Sequence, residues 1–333
     1  MNENKARWAF FSYAHNLGDF TRALETAKGM SNAGHEVCFF NHGGTHLPLI
    51  AKAGLQSVNL QPEISQEQND IVMAINQFRL PLGTPLPFSK QELIAQVEAD
   101  LEALSSYKPD GVYCGLNISS MISVPYSKLP RVTQVPTTLC PAFYQKRLAT
   151  FPNTLETNFI LRRLIPEPLK RSYFNRVMLA DVIKGTAETF NQVRKHFGLP
   201  PIYNMIDFVK GDLILLPDLP ELSGLPEADL PAPYKYTGPI FSVMDHLSVP
   251  EEVRAVFARP GIKVYCALGS SGAPETLQTI HSWFRKRTDC RLVCATTTIL
   301  DPSELGESNE RFYATRYLPA HLVNEMADVA ITH

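Results

Sequence analysis

Short continuous apolar runs alternate along this chain with stretches where apolar residues recur every three or four positions, the mark of strands and helices taken in turn. The clearest instance runs from Arg7 to Phe40. Trp8 to Tyr13 is an aromatic and apolar run of strand length, which breaks into a small-residue turn carrying Gly18 and Asp19. Phe20, Ala23, Leu24, Ala27 and Met30 then follow at helical spacing, Gly34 supplies the positive φ that ends the helix, and Val37 to Phe40 is a second buried strand. Strand, helix and strand in this order predict one right-handed βαβ unit of a parallel sheet. Ligands of such sheets bind beyond the carboxyl ends of the strands, where Asp19 stands.

The same reading continues down the chain. His42-Gly43-Gly44-Thr45-His46 follows the second strand. Its two histidines have metal-ligand spacing, but the glycines between them predict a loop and no third ligand accompanies them, so no metal is expected. A helix from Leu49, a stop at Gly54 and a strand over Gln56–Leu60 come next. Residues 61–88 are polar and then proline-rich, and read as a loop long enough to form a pocket wall. Ser89 and Glu92 make a capping-box pattern for a helix whose stripe is Ile94, Val97, Leu101 and Leu104. Strands are expected at Gly111–Gly115 and Pro130–Val135, and one long helix over Arg176–Phe197. Pro136–Lys170 has no clean period. It reads either as surface helices with basic faces (Arg147, Arg162, Arg163, Lys170) or as an acceptor pocket lined by Phe143, Tyr144, Phe151 and Phe159. Asp212–Leu216 and Tyr234–Gly238 close this half, amid dense prolines.

A second βα series opens at Ile262–Leu268, turns through Gly269-Ser270-Ser271-Gly272 and enters a helix at Pro274. Strands at Arg291–Thr296 and Arg311–Ala314, a helix at Pro319–Met326 and a strand at Asp328–Thr332 follow. The pattern predicts an α/β protein of two doubly wound parallel-sheet domains: residues 1–240, a linker 241–258, and residues 259–333, the second incomplete because its last strand lacks a crossover to cover it. Val329 and Ile331 should then be under-covered.

Composition narrows the classes. With 44% hydrophobic residues the 333-residue chain can fill two cores, and a net charge of −2 offers no field for nucleic acid. The six cysteines lie mostly in apolar runs, which suggests reduced thiols and a cytoplasmic setting. No run has the length of a transmembrane helix. The chemistry that remains is local. Gly269-Ser270-Ser271-Gly272, between strand and helix, can bind phosphate through backbone N–H groups and two hydroxyls, or be only a tight turn. NLGDFTR lacks the dinucleotide G-x-G-x-x-G spacing, and no G-x-x-x-x-G-K-[ST] loop occurs, which disfavours nicotinamide enzymes and P-loop ATPases. Asp19 is either the N-cap of its helix or a general base, with His15 in the same loop as the competing base.

Three segments together resemble the GT-B glycosyltransferases of the family 1 and family 28 type. They are Gly18-Asp19-x-x-Arg22 with Ala33-Gly34-His35-Glu36-Val37; Tyr265–Gly272; and Tyr317-Leu318-Pro319 with Ala327-Asp328-x-x-Ile331-Thr332-His333. The resemblance implies an inverting, metal-free and cofactor-free transfer from a nucleotide-sugar donor to an apolar hydroxylated acceptor. Asp19 would be the base, as in the sterol and glycopeptide enzymes that also carry Gly-Asp. Gly269, Ser270, Ser271, Gly272, Leu318 and His333 would lie on the donor side, and His15, Phe143 and Tyr144 on the acceptor side. Asn117 stands where histidine-type members have a second aspartate. The expected chain stops within the donor loop, which would leave it inactive as it stands. A nucleotide-sugar epimerase of the same fold and a non-catalytic binding protein or truncated remnant are the alternatives.

Overall fold

The apolar runs of the first half form a sheet because their side chains alternate between two faces that are both covered. The computed structural model describes residues 5–76, 80–81, 83–151, 164–180, 183–242, 248–269 and 272–332. It divides into two units, Met1–Phe241 and Ser242–His333.

The strands of the first unit are β1 (Arg7–Phe11), β2 (Glu36–Asn41), β3 (Gln56–Asn59), β4 (Gly111–Cys114), β5 (Arg131–Gln134), β6 (Leu213–Leu216) and β7 (Tyr234–Tyr236). They pair in the order β3-β2-β1-β4-β5-β6-β7, with every pairing parallel. The order reverses beside β1, the switch point at which doubly wound sheets open a crevice. The helices are α1 (Leu17–Asn32), α2 (Pro48–Lys52), α3 (Gln66–Asn76), α4 (Lys90–Tyr107), α5 (Ser120–Ser127), α6 (Pro141–Gln145), α7 (Glu167–Met178), α8 (Glu188–His196), α9 (Met205–Phe208) and α10 (Pro220–Ser223). On one face Phe10, Phe39 and Tyr113 meet Phe20, Ala23 and Ala27 of α1 and Ile50 of α2. On the other Ala9, Phe11, Cys38, Phe40, Val112 and Cys114 meet Leu104 of α4 and Val124 of α5. Two covered faces explain why these strands read as unbroken apolar runs. Each fully buried Phe or Leu there stabilises the unit by about 1.5–3 kcal/mol.

The second unit has β8 (Ile262–Ala267), β9 (Cys290–Ala295), β10 (Phe312–Thr315) and β11 (Val329–Thr332), parallel in the order β10-β9-β8-β11. Its helices are α11 (Glu251–Phe257), α12 (Pro274–Arg285) and α13 (Ala320–Met326). Val253, Val256 and Phe257 of α11 and Val323 of α13 cover Tyr265, Val293 and Ala295, while Leu277 of α12 covers Val264, Cys266, Leu292 and Cys294. β11 carries no fully buried side chain, and Val329 is 46% exposed.

Several expectations change. The stretch 241–258, read as a linker, contains α11, whose apolar residues at helical spacing dock on the second sheet and place it in the second unit. Residues 61–88 hold helix α3, missed because its residues are mostly polar and only Asn69 and Val72 are fully buried. The buried stripe of α4 is Leu93, Gln96, Val97, Asp100 and Leu104, with Ile94 and Leu101 at its margin. The helix expected over Arg176–Phe197 is interrupted: α7 ends at Met178 and α8 begins at Glu188. The Ser89–Glu92 capping box is formed in both directions, and Gly34 takes φ +94° past the end of α1. All six cysteines are buried and unpaired.

Candidate active site

The loop leaving β1 is built around one carboxylate. Asn16 is the N-cap of α1, its side-chain oxygen accepting from the Asp19 amide at 3.2 Å, so Asp19 lies inside the first turn and does not cap the helix. Its Oδ2 accepts from the backbone N–H of Tyr13 at 3.3 Å and of Leu116 at 3.2 Å, which ties the loop after β1 to the loop after β4. Gly115 makes this approach possible: a Cβ there would stand 2.6 Å from Oδ2. Oδ1 has the Arg22 guanidinium at 4.0 Å. Asp19 is only 3% exposed, and that burial raises its pKa against the pull of Arg22 and the two amides. The carboxylate therefore lies at the carboxyl ends of the central strands, buried within the turn.

His15 occupies the same loop with a different character. Both ring nitrogens are buried without a hydrogen-bond partner among the described residues. Burial lowers its pKa, while the Ile64 carbonyl, outside good hydrogen-bonding geometry, and the Asp70 and Glu63 carboxylates pull the other way. Its ring stands 5.5 Å from that of Tyr13. His46 is lowered too, by burial and then by His15. Helix α3 forms a wall of this loop, with the Tyr13 hydroxyl donating to Asn69 Oδ1 at 3.0 Å and Asn16 Nδ2 lying 3.9 Å from Met73 Sδ.

Beside it lies a network that the sequence pattern did not disclose. His42 Nδ1 faces the Pro62 carbonyl at 2.8 Å and its Nε2 faces Asp100 Oδ1 at 3.0 Å, while Ser123 donates to Asp100 Oδ2 at 2.9 Å. All three side chains are buried. Both ring nitrogens are engaged within the protein, which leaves neither free for a metal or a substrate. The available signal was a carboxylate on the apolar stripe of α4. Gly44, at φ +137°, brings the His42–His46 loop so close to β1's loop that a Cβ would meet Ala14 Cβ at 2.4 Å.

The other expected site residues divide sharply. Phe143 and Tyr144, expected to line an acceptor pocket, are packed edge to face in the core of the first unit, because α6 turns them inward. Phe151 is half-buried against Phe174, and Phe159 lies outside the described residues. Asn117 accepts from the Ser119 hydroxyl and the Ser120 amide at the start of α5. In the second unit Gly269 takes φ +66° after β8, and the Thr297 hydroxyl donates to its carbonyl at 2.9 Å. Gly272 is packed so closely that a Cβ would clash with Leu268 at 2.5 Å and with Ile299 at 2.8 Å. Pro274 opens α12, whose N-cap Ala273 supplies no capping side chain. Leu318, placed on the donor side by its motif, is buried in the core of this unit. Ser270, Ser271 and His333 lie outside the described residues, and among those described no cluster could hold a metal.

With two parallel sheets, a switch point beside β1 and a glycine turn after β8, the fold is that of the GT-B glycosyltransferases. Two solved structures are similar over nearly the whole chain. The calicheamicin glycosyltransferase CalG4 is 18% identical at a TM-score of 0.55, covering 99% of this chain and 74% of its own. A UDP-glucosyltransferase from Polygonum tinctorium is 13% identical at a TM-score of 0.60, covering 100% and 76%. Among curated proteins, the PGL/p-HBAD biosynthesis rhamnosyltransferase of Mycobacterium bovis, with counterparts in Mycobacterium tuberculosis, is 28% identical over 203 residues, 58% of this chain and 41% of the relative. The chain thus matches less than half the length of these curated relatives. No family model matches. Among the described residues no helix is long and apolar enough to cross a membrane.

Proposed function

We propose that the chain is the catalytic fold of an inverting glycosyltransferase that moves a sugar from a nucleoside diphosphate to a hydroxyl of an apolar acceptor. The observation that carries this reading is the placement of Asp19 at the carboxyl ends of β1 and β4. The acceptor oxygen forms a bond to the anomeric carbon as the bond to the diphosphate breaks. The electron pair leaves on the phosphate oxygen, and the hydroxyl proton passes to Asp19. With Oδ2 engaged by two amides, Oδ1 is the oxygen that takes the proton, and burial raises its affinity for it. In the second unit the glycine turn and the N-terminus of α12, which has no side-chain cap, supply N–H donors to the leaving diphosphate. No step calls for a metal or a cofactor. Rhamnose, named in the curated relatives, is the first donor sugar to try.

A second reading gives the base to His15. It is favoured by the unpartnered ring nitrogens, which contrast with the two bonds already held by Asp19. The experiment is transfer from uridine and thymidine diphospho-rhamnose to a panel of hydroxylated aromatic and lipid acceptors, with products identified by mass spectrometry and anomeric configuration by NMR. Product of inverted configuration, lost in Asp19→Asn and kept in His15→Gln, supports the reading. The reverse pattern hands the proton to His15. Release of free sugar or an epimerised nucleotide with no acceptor product would overturn it.

A further inference from the structure

The second unit contains a cavity of about 150 Å³ at the end of its sheet opposite the glycine turn. It lies between the C-terminal half of α12, where His281 and Arg285 face it, and the starts of β9 and β10, which bring Cys290, Arg311 and Phe312. A cavity of roughly that volume can hold a benzene ring, and a phosphate ion, with five heavy atoms, is smaller.

The charge lining it is one-sided. Arg287 is committed to Asp289, with Nε at 3.0 Å from Oδ1, and stacks over Trp283 at 4.9 Å. Arg285 and Arg311 meet no carboxylate among the described residues. Arg311 uses Nη1 to donate to the Arg287 carbonyl at 2.9 Å, which aligns its guanidinium without neutralising it. His281 is 5% exposed, its ring lies 4.4 Å from that of Phe312, and its Nε2 is buried with no hydrogen-bond partner among the described residues. Burial and then Arg285 lower its pKa, so the ring is neutral near pH 7. A buried polar nitrogen without a partner costs stability unless something meets it. A phosphate can do so from either tautomer, because its oxygens accept from Nε2–H and its P–O–H donates to a bare Nε2.

We propose that this cavity is a phosphate site, separate from the donor turn, which takes inorganic phosphate or the phosphate of a small monoester between Arg285, Arg311 and His281 Nε2. Arg285 is exposed at its rim and Arg311 half-buried, so both can be changed without opening a core. The test is calorimetry of the full chain with inorganic phosphate at constant ionic strength, repeated with glucose 1-phosphate. Saturable binding is expected, with Arg285→Gln and Arg311→Gln each weakening it about tenfold, as loss of a charge-assisted bond implies, and with Lys286→Gln unchanged. Saturating uridine diphosphate should leave phosphate binding intact. Retained monoester binding with the same arginine dependence would support a phosphorylated metabolite as the ligand, and its loss would support free phosphate. Binding that is indifferent to both arginines, or displaced by uridine diphosphate, would place the anion elsewhere and overturn the site. Absence of saturable binding at roughly 10 mM would do the same.

Discussion

The turn after β1 and the turn after β8 occupy the same place in their two sheets, yet they hold opposite chemistry. In the first, the free amides of Tyr13 and Leu116 are filled by the protein's own Asp19, and the helix is capped by Asn16. In the second, Gly272 faces Leu268 and Ile299, α12 has no capping side chain, and no described carboxylate in the unit is buried. The first turn has thus satisfied the Tyr13 and Leu116 donors internally, through a buried carboxylate. In the second, no described side chain caps α12, and the acidic residue of its first turn, Glu275, is exposed. The two turns differ in whether the carboxylate is buried against backbone amides, as Asp19 is, or exposed, as Glu275 is.

The largest effect that would break this contrast comes from the support of the first turn. Asp100→Ala leaves His42 Nε2 and the Ser123 hydroxyl buried without Asp100 and should cost about 2–5 kcal/mol, read from urea unfolding. An effect under about 1 kcal/mol would mean that the pair does not hold the loop. Asp19→Ala, which strands the Tyr13 and Leu116 amides, should cost about 2–4 kcal/mol and lower turnover by roughly 10²–10⁴. Asp19→Asn should lose the same turnover yet be no less stable at pH 7. Because the folded pKa of Asp19 is raised, the folded state binds more protons than the unfolded one above the ordinary carboxylate range. Stability is therefore lost as pH rises through that window, and the amide abolishes this slope. Titrating thermal unfolding of the two proteins against pH checks the sign.

Smaller effects sharpen the other half. Gly272→Ala drives a methyl against Leu268 and should weaken nucleoside diphosphate binding about tenfold by calorimetry, with a stability cost of about 1–3 kcal/mol. Gly115→Ala should leave that binding unchanged and instead displace Asp19. The smallest expected effect is at His15, whose lowered pKa means that the unfolded chain takes up its proton first as pH falls. Stability is lost below about pH 6.5, and His15→Gln should flatten that acid limb slightly.

Much of the fold was legible because parallel strands covered on both faces must be apolar throughout. Trp8–Tyr13, Val37–Phe40 and Ile262–Leu268 could be nothing else. Helices with a mixed face were harder to read. Helix α3 buries only Asn69 and Val72, and the stripe of α4 contains Gln96 and Asp100, so apolar spacing alone was silent on one and misplaced the other. The position of Asp19 came from the βα turn, but its burial did not, since that depends on Leu116, brought alongside only by the β1–β4 pairing. Phe143 and Tyr144 were read from aromatic content, and aromatics fill cores, where these two lie, as readily as they line pockets.

The register of β1 also fixes an order of events in time. Its pairing with β2, Arg7 against Glu36, needs only the first strand, helix and strand, whereas its pairing with β4 sets Trp8 against Gly111. A ribosome adding about 5–20 residues each second delivers that second partner several seconds later. Through the interval one edge of the nascent β1 is open, and Asp19 lacks the Leu116 amide that completes its cradle. The longer loop must close against greater entropy before it is rewarded, so the Asp19 carboxylate is set in place late in folding rather than with its own helix.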